Sequence, residues 1–282
     1  MRYFFTTQRV VIFSLIVSLL IAIFAPTAGP NGQLNVLFGA ASFVFWIVIA
    51  FYISMSTTRL NDLGQALNQE DANYVSIYKV AAVFGEEIQD KLRKRIDLYL
   101  QDQIDHYLSD FEQTHATFDN LVNFIVSINP NNEKERLVYG KLLDYVDRLQ
   151  HNRIRIIALA KSKLLFYEWA TILTLAAIIL FCIFALNDGS LVSIIVSVLL
   201  STSTIMLILI LRDLVFLRWK EQMWIWSCLT ETFQGLGLSP YYPQSSVDEG
   251  RVTLKKGVTV RLVSYPNRYP DFSNKRIIEK KA

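Results

Sequence analysis

The sequence predicts an all-α polytopic membrane protein, with two transmembrane helical hairpins flanking a cytoplasmic helical bundle and a small C-terminal β-hairpin. Three observations carry this. Val10–Ala25, Val36–Ile53, Trp169–Leu186 and Leu191–Leu211 are apolar runs. With a few amphipathic neighbours they reach the roughly 20 residues that a helix needs to cross a hydrocarbon core about 30 Å thick. All 28 Lys and Arg residues lie outside these runs, and none falls in either short connection between paired runs. Finally, 52% of the 282 residues are hydrophobic, and the mean hydropathy is +0.30, above the usual balance of a soluble domain.

The charge pattern also orients the chain. Arg2 and Arg9 precede the first run, Arg59 follows the second, and Arg153, Arg155, Lys161 and Lys163 precede the third. Arg212, Arg218 and Lys220 follow the fourth. Basic residues near span ends stay on the cytoplasmic side, so both termini and the middle region are expected in the cytoplasm of a multi-pass plasma (inner) membrane protein. Cleavage of the first run as a signal peptide is not expected, because the small-residue pair around Pro26–Ala28 is poor. Cys182 lies in the third run and Cys228 in a tail facing a reducing compartment, so no disulfide is expected.

Four regions follow: a first transmembrane hairpin at 1–54, a cytoplasmic helical domain at 55–163, a second hairpin at 164–211 and a cytoplasmic tail at 212–282. Pro26–Asn35 is rich in Pro, Gly and Asn and extends neither neighbouring helix. Asn187-Asp188-Gly189-Ser190 stops one helix at Gly189 and caps the next with Ser190. Between the hairpins, Leu60, Leu63 and Leu67 recur at helical spacing. Ile88, Leu92, Ile96 and Tyr99 do so too, as do Ile104, Tyr107, Leu108 and Phe111. Asn129-Pro130-Asn131-Asn132 breaks the pattern before Leu137, Leu142, Tyr145 and Leu149 resume it. Such helices pack as an amphipathic bundle.

In the tail, Trp219, Met223, Trp226 and Phe233 share one helix face, which predicts an interfacial helix or a lid on the bundle. Val252 and Leu254, a turn at Lys255-Lys256-Gly257, and Val258, Val260 and Leu262 predict the β-hairpin. Residues 266–282 are polar and basic, and a disordered end is expected there.

No catalytic signature is present. The sequence lacks a phosphate-binding glycine loop, a dinucleotide fingerprint, a His-Glu-x-x-His helix and a nucleophile elbow. His106, His115 and His151 have no partner at metal-ligand spacing. The expectation is no enzyme activity, no cofactor and no metal. The partners expected are the lipid bilayer, further copies of the chain and a small inorganic anion, with no nucleic acid.

Three features of the spans bear on function. Ser190, Ser193, Ser197, Ser201 and Thr204 line one face of the fourth run. Close helix packing is the commoner use of such a stripe; polar lining of a water path by Ser193, Ser197 and Ser201 is the functional alternative. Phe43, Ile47 and Phe51 stack four apart on the second run and, repeated about an oligomer axis, would form a hydrophobic constriction. An unremarkable lipid-facing row has the same spacing. Arg153 and Arg155 are candidates to concentrate anions at a cytoplasmic mouth, with Glu168 at the lip of the third run.

The order of these elements resembles the bestrophin-like membrane proteins. A two-span hairpin passes into Arg59-Leu60-Asn61, and the middle helix carries the Leu92–Leu100 spacing. Ser127-Ile128-Asn129-Pro130 precedes a charged restart at Glu133, and Leu142-Leu143 and Leu149 lead to Asn152-Arg153-Ile154-Arg155. The fourth run ends at Arg212-Asp213. The resemblance covers residues 10–216 and implies four spans with a cytoplasmic helical domain. Through the bestrophins themselves it implies an oligomeric anion channel with its neck on the second span. Those proteins carry an acidic calcium cluster after their last spans, and residues 212–282 contain nothing like it, so calcium gating is not implied. The rival expectation is a membrane-anchored sensor or scaffold acting through its cytoplasmic domain. A transporter ranks last, because the spans hold no interior charge and no proline.

Overall fold

The computed structural model describes residues 2–24, 29, 31–217, 224–248, 250, 252–254 and 257–281, with backbone only for 2–8 and 224–228. The chain forms two compact units, Met1–Leu60 with Lys163–Trp219, and Asn61–Ser162 with Lys220–Ala282.

The first unit contains helix α1 (Arg2–Phe24), the start of α2 (Gly32–Ala81), α6 (Phe166–Ala185) and α7 (Leu191–Val215). Three helical stretches are long and apolar enough to cross a membrane, within Gly32–Phe84, Glu133–Ala185 and Leu191–Val215. Arg9–Phe24 is a shorter apolar helix. Of the four spans expected, three are long and apolar enough among the described residues, and the run Val10–Ala25 lies in the shorter apolar helix. In α2 the apolar stretch closes near Met55; Ser56, Thr57, Thr58 and Arg59 begin its polar part.

One face of α2, Ala41, Phe45 and Ile49, is buried against Ile172, Ala176, Ile179 and Ile183 of α6 and Leu211 and Val215 of α7. Steps of three and four keep each set on one side of its helix. Helix α1 packs along α7. Among the described side chains of α1, Ser14, Ser18 and Ala22 are buried, and the buried residues of α7 include Ser197, Ser201 and Thr204. Small side chains at these steps let two backbones approach closely. At the α6–α7 turn, Gly189 takes a positive φ of 80°, and the Ser190 side chain accepts from the Ser193 N–H. Asn187 is buried there, and its Nδ2 donates to the Ala22 carbonyl at 2.7 Å, tying α1 to the turn.

The second unit is built from the polar part of α2, α3 (Glu86–Asp105), α4 (His115–Val126), α5 (Glu133–Lys161), α8 (Trp224–Gly235) and a sheet. Its core includes Tyr74, Ile77, Leu92, Ile96, Tyr99, Phe118, Leu121, Ile125, Leu142, Leu149 and Phe233. The break at Asn129–Asn132 is real. Asn132 caps α5 by accepting from the Glu135 N–H at 2.8 Å, and the Glu135 carboxylate accepts from the Asn131 N–H at 2.7 Å. Tyr107 and Leu137 are exposed rather than part of their stripes. Helix α3 ends before Tyr107, where His106 turns extended at ψ 150°, so the helical phase is lost there.

The tail differs from expectation. Strand β1 (Tyr241–Pro243) runs into a short helix, α9 (Gln244–Asp248), and pairs parallel with β2 (Thr259–Ser264). Strand β2 pairs antiparallel with β3 (Arg276–Lys281), with Leu262 opposite Ile278. Val252 and Leu254 are not strand residues, and Lys255 and Lys256 of the expected turn lie outside the described residues. The strand partner comes instead from the segment expected to be disordered.

That segment is held by side chains of α3. Asp105 accepts from the Tyr241 and Tyr265 hydroxyls at 2.9 and 2.6 Å and pairs with Lys275 at 2.6 Å. Arg261 grips both oxygens of Asp97 at 2.7 and 2.6 Å in a fork. Asp105→Ala strands two buried hydroxyls and the Lys275 ammonium, and is expected to cost about 2–4 kcal/mol. Trypsin then cuts after Lys275 and Arg276 in the variant while the parent resists; equal digestion rates would contradict this anchoring.

Candidate functional site

The row Phe43, Ile47 and Phe51 projects from α2 away from the helices of its own unit. These side chains are 69%, 56% and 63% exposed, while Phe45 and Ile49 on the opposite face are each 1% exposed. Apolar residues at that exposure need lipid or a further protein copy against them. The α2 sequence sorts the two faces by itself: Ala41, Phe45 and Ile49 are packed inward, which turns Phe43, Ile47 and Phe51 outward.

The serine stripe is a packing face. Ser197 and Ser201 are buried inside the protomer, donating to the Ile183 carbonyl at 3.4 Å and the Val198 carbonyl at 3.1 Å. Ser193 belongs to the turn, its hydroxyl accepting from the Asp188 N–H at 3.3 Å. Hydroxyls buried in this way, with their bonds made to backbone carbonyls, are placed for helix packing, the commoner use of such a stripe.

The charged candidates separate. Arg153 is 4% exposed and is not a free charge at any mouth. Its Nη1 donates to the Tyr99 hydroxyl at 2.7 Å and to Thr114 Oγ1 at 2.9 Å, and its Nη2 to the Phe111 carbonyl at 3.3 Å. The guanidinium also lies over the Phe118 ring at 4.8 Å. The helical phase of α5 places it inward: Leu142, Val146, Leu149, Asn152, Arg153, Ile156 and Ala160 form the buried face. Arg155 is on the exposed side, 3.7 Å from Asp62. Glu168 accepts from the Leu165 N–H at 2.7 Å and so caps the first turn of α6.

A second cluster went unnoticed in the sequence. Glu70 on α2 is 1% exposed. Its Oε1 accepts from the Tyr74 hydroxyl, from the Tyr99 hydroxyl at 3.0 Å and from Gln103 Nε2 at 3.4 Å. Tyr99 thereby bridges the buried carboxyl of Glu70 and the buried guanidinium of Arg153. Burial pushes the Glu70 carboxyl up to about 7, against the lowering effect of these donors and of Arg153. The signal in the sequence was weak. Glu70 and Asp71 fall within a polar helix where acids ordinarily face water, and only the phase set by Leu63, Ala66, Tyr74 and Ile77 places Glu70 inward. Of the aromatic tail face, Phe233 is fully buried in the core of the second unit; Trp219 and Met223 and the side chain of Trp226 lie outside the described residues.

A unit of packed apolar helices long enough to cross a membrane and a helical unit with a small C-terminal sheet define a mostly helical membrane protein. The chain belongs to the bestrophin-like family, whose domain model matches residues 8–214. It is similar to a crystal structure of a single-substitution variant of a bacterial bestrophin homologue from Klebsiella pneumoniae. Identity there is 13% at a TM-score of 0.65, covering 80% of this chain and 97% of that one. A second structure of the Klebsiella pneumoniae homologue matches at 14% identity and a TM-score of 0.64, covering 81% and 99%. A variant of a protein described as a membrane protein matches at 14% identity and a TM-score of 0.65, covering 82% and 100%. At these identities the likeness is one of fold. No curated protein matches the chain.

Proposed function

We propose that the protein is an oligomeric ion channel of the inner membrane in which Phe43, Ile47 and Phe51 from each copy surround a hydrophobic constriction. The observation that carries this reading is the row itself, apolar, in one line and exposed on the outer side of its unit. Membership of the bestrophin-like family supports oligomeric assembly around that helix. In this reading the chain crosses the bilayer four times with both termini cytoplasmic. Support for the fourth crossing comes from α1 packing along α7 and from the exclusion of all Lys and Arg from the two short connections. Anions are the proposed cargo. With Arg153 buried, Arg155 is the remaining basic candidate at the mouth, at 39% side-chain exposure.

Full-length protein reconstituted in planar bilayers is expected to pass discrete currents whose reversal potential follows the chloride gradient. A potential that follows the cation gradient would overturn the anion preference, and silence across salts and pH would overturn the channel. Silence together with binding of a partner by the second unit is what the sensor or scaffold reading requires.

A further inference from the structure

Three groups in the second unit are placed where a proton can be held away from water. Glu70 of α2 is buried, and every hydrogen bond described for its carboxyl converges on Oε1. Arg153 of α5 is buried one hydroxyl away, joined through Tyr99 of α3. No salt bridge connects Glu70 to Arg153 directly; the tyrosine hydroxyl, which accepts from one and donates to the other, transmits between them. We propose that Glu70 is a proton-binding switch: the cluster Glu70–Tyr74–Tyr99–Arg153 takes up and releases one proton on the Glu70 carboxyl, and channel current responds to pH through it.

The groups facing Glu70 are few. From its own helix come Tyr74 and Asp71, and from α3 Tyr99 and Gln103. Arg153 comes from α5, and Thr114, just before α4, holds the other side of that guanidinium. Thr232 of α8 hydrogen-bonds Asp71. Burial, and after it the neighbouring charge on Glu70, push Asp71 above the carboxylate range. With the charge on Glu70, Tyr74 and Tyr99 both point their hydroxyl protons at one oxygen. With the proton on Glu70, that oxygen is a weaker acceptor and the carboxyl itself must donate. The change alters three helices at once, because the bonds cross from α2 to α3 and on to α5.

The sign follows from burial being the largest influence on Glu70. Its folded-state affinity for a proton exceeds that of an unfolded chain, so its contribution to stability is complete at acid pH. It is lost as pH rises to about 7. Acid therefore tightens the unit. The same helix α2, continuous from Gly32 to Ala81, also carries Phe43, Ile47 and Phe51. The link to current rests on the channel reading above, whereas the proton site does not.

Two measurements on the full chain separate them. Infrared titration in detergent micelles is expected to show a carboxylic-acid band with a midpoint near pH 7 that is missing from Glu70→Gln. If Glu70→Gln does not fold, Tyr99→Phe removes one donor to the carboxylate and moves the midpoint upward. A wild-type band with no midpoint between about pH 6 and 8, or an undiminished band with the same midpoint in Glu70→Gln, overturns the proton site. In planar bilayers, wild-type current changes severalfold across the same midpoint and Glu70→Gln is flat. Current that is measurable but pH-independent in the wild type, or pH-dependent to the same degree in Glu70→Gln, overturns the regulatory role. Absence of all current overturns the channel reading and the regulatory role, and leaves the infrared midpoint to decide the proton site by itself.

Discussion

Arg153→Met is expected to destabilise the protein by about 3–5 kcal/mol, the range for removing one member of a buried charged cluster. Methionine fills much of the volume but donates nothing. Tyr99 and Thr114 lose a charge-assisted donor, and the Phe111 and Glu112 carbonyls lose theirs. The carboxyl of Glu70 loses the only cation among the groups that act on it, which drives its proton affinity further up. Arg153→Lys is an informative control. An ammonium reaches one of these partners but lacks the planar fork that spans four of them, so it restores only part of the loss. Chemical denaturation in micelles, with the second unit followed by its aromatic signals, measures both. A loss below about 1 kcal/mol for Arg153→Met would place the guanidinium in solvent after all.

The largest effect on activity is expected from the α2 row. On the channel reading proposed above, replacing Phe43, Ile47 and Phe51 together by alanine widens and wets the proposed constriction. Macroscopic current is then expected to rise at least about tenfold, equivalent to lowering the barrier by about 1.4 kcal/mol. Stability changes little, because these side chains are exposed in the protomer and removing them opens no cavity in its core. The matching substitutions on the opposite face, Phe45→Ala and Ile49→Ala, reverse the pattern. They empty space against α6 and α7, cost about 2–5 kcal/mol each and leave the constriction in place. A sensor or scaffold predicts no difference in current between the two sets. Equal conductance for the parent and the triple variant would remove the row from the pore.

Much of the architecture was legible because it rests on local rules. Ser190 caps the start of α7 as its position implied, whereas α6 stops earlier than expected, at Ala185, and Gly189 supplies the positive φ of the turn between them. Asn132 and Glu135 cap α5 where the Asn-Pro-Asn-Asn break announced an end. Leu92, Ile96 and Tyr99 are buried as their spacing implied. The candidate site was legible in part. Phe43, Ile47 and Phe51 do share a face, since two four-residue steps stay aligned on any helix, whatever lies around it.

Other features had no local signature. The tail is ordered by partners more than 150 positions away in the chain, such as Asp105 for Lys275 and Asp110 for Tyr269. Polarity and basicity made the same residues read as a loose end. Arg153 and Arg155 are two apart on one helix, and roughly 200° of rotation separates them. One is enclosed by Tyr99, Phe111 and Phe118, while the other meets solvent.

The order of residues alone determined that this chain enters a membrane, where α5 and α7 begin, and which basic groups lie outside the spans, because hydrocarbon length, capping and charge exclusion act over a few residues at a time. Tertiary packing alone decided which charges are buried, that the serine stripe meets a neighbouring helix, and that the last strand is Arg276–Lys281. Those outcomes depend on what distant segments present to each side chain. A carboxyl surrounded by two tyrosines and an arginine from three helices differs from one in water only once those helices have met.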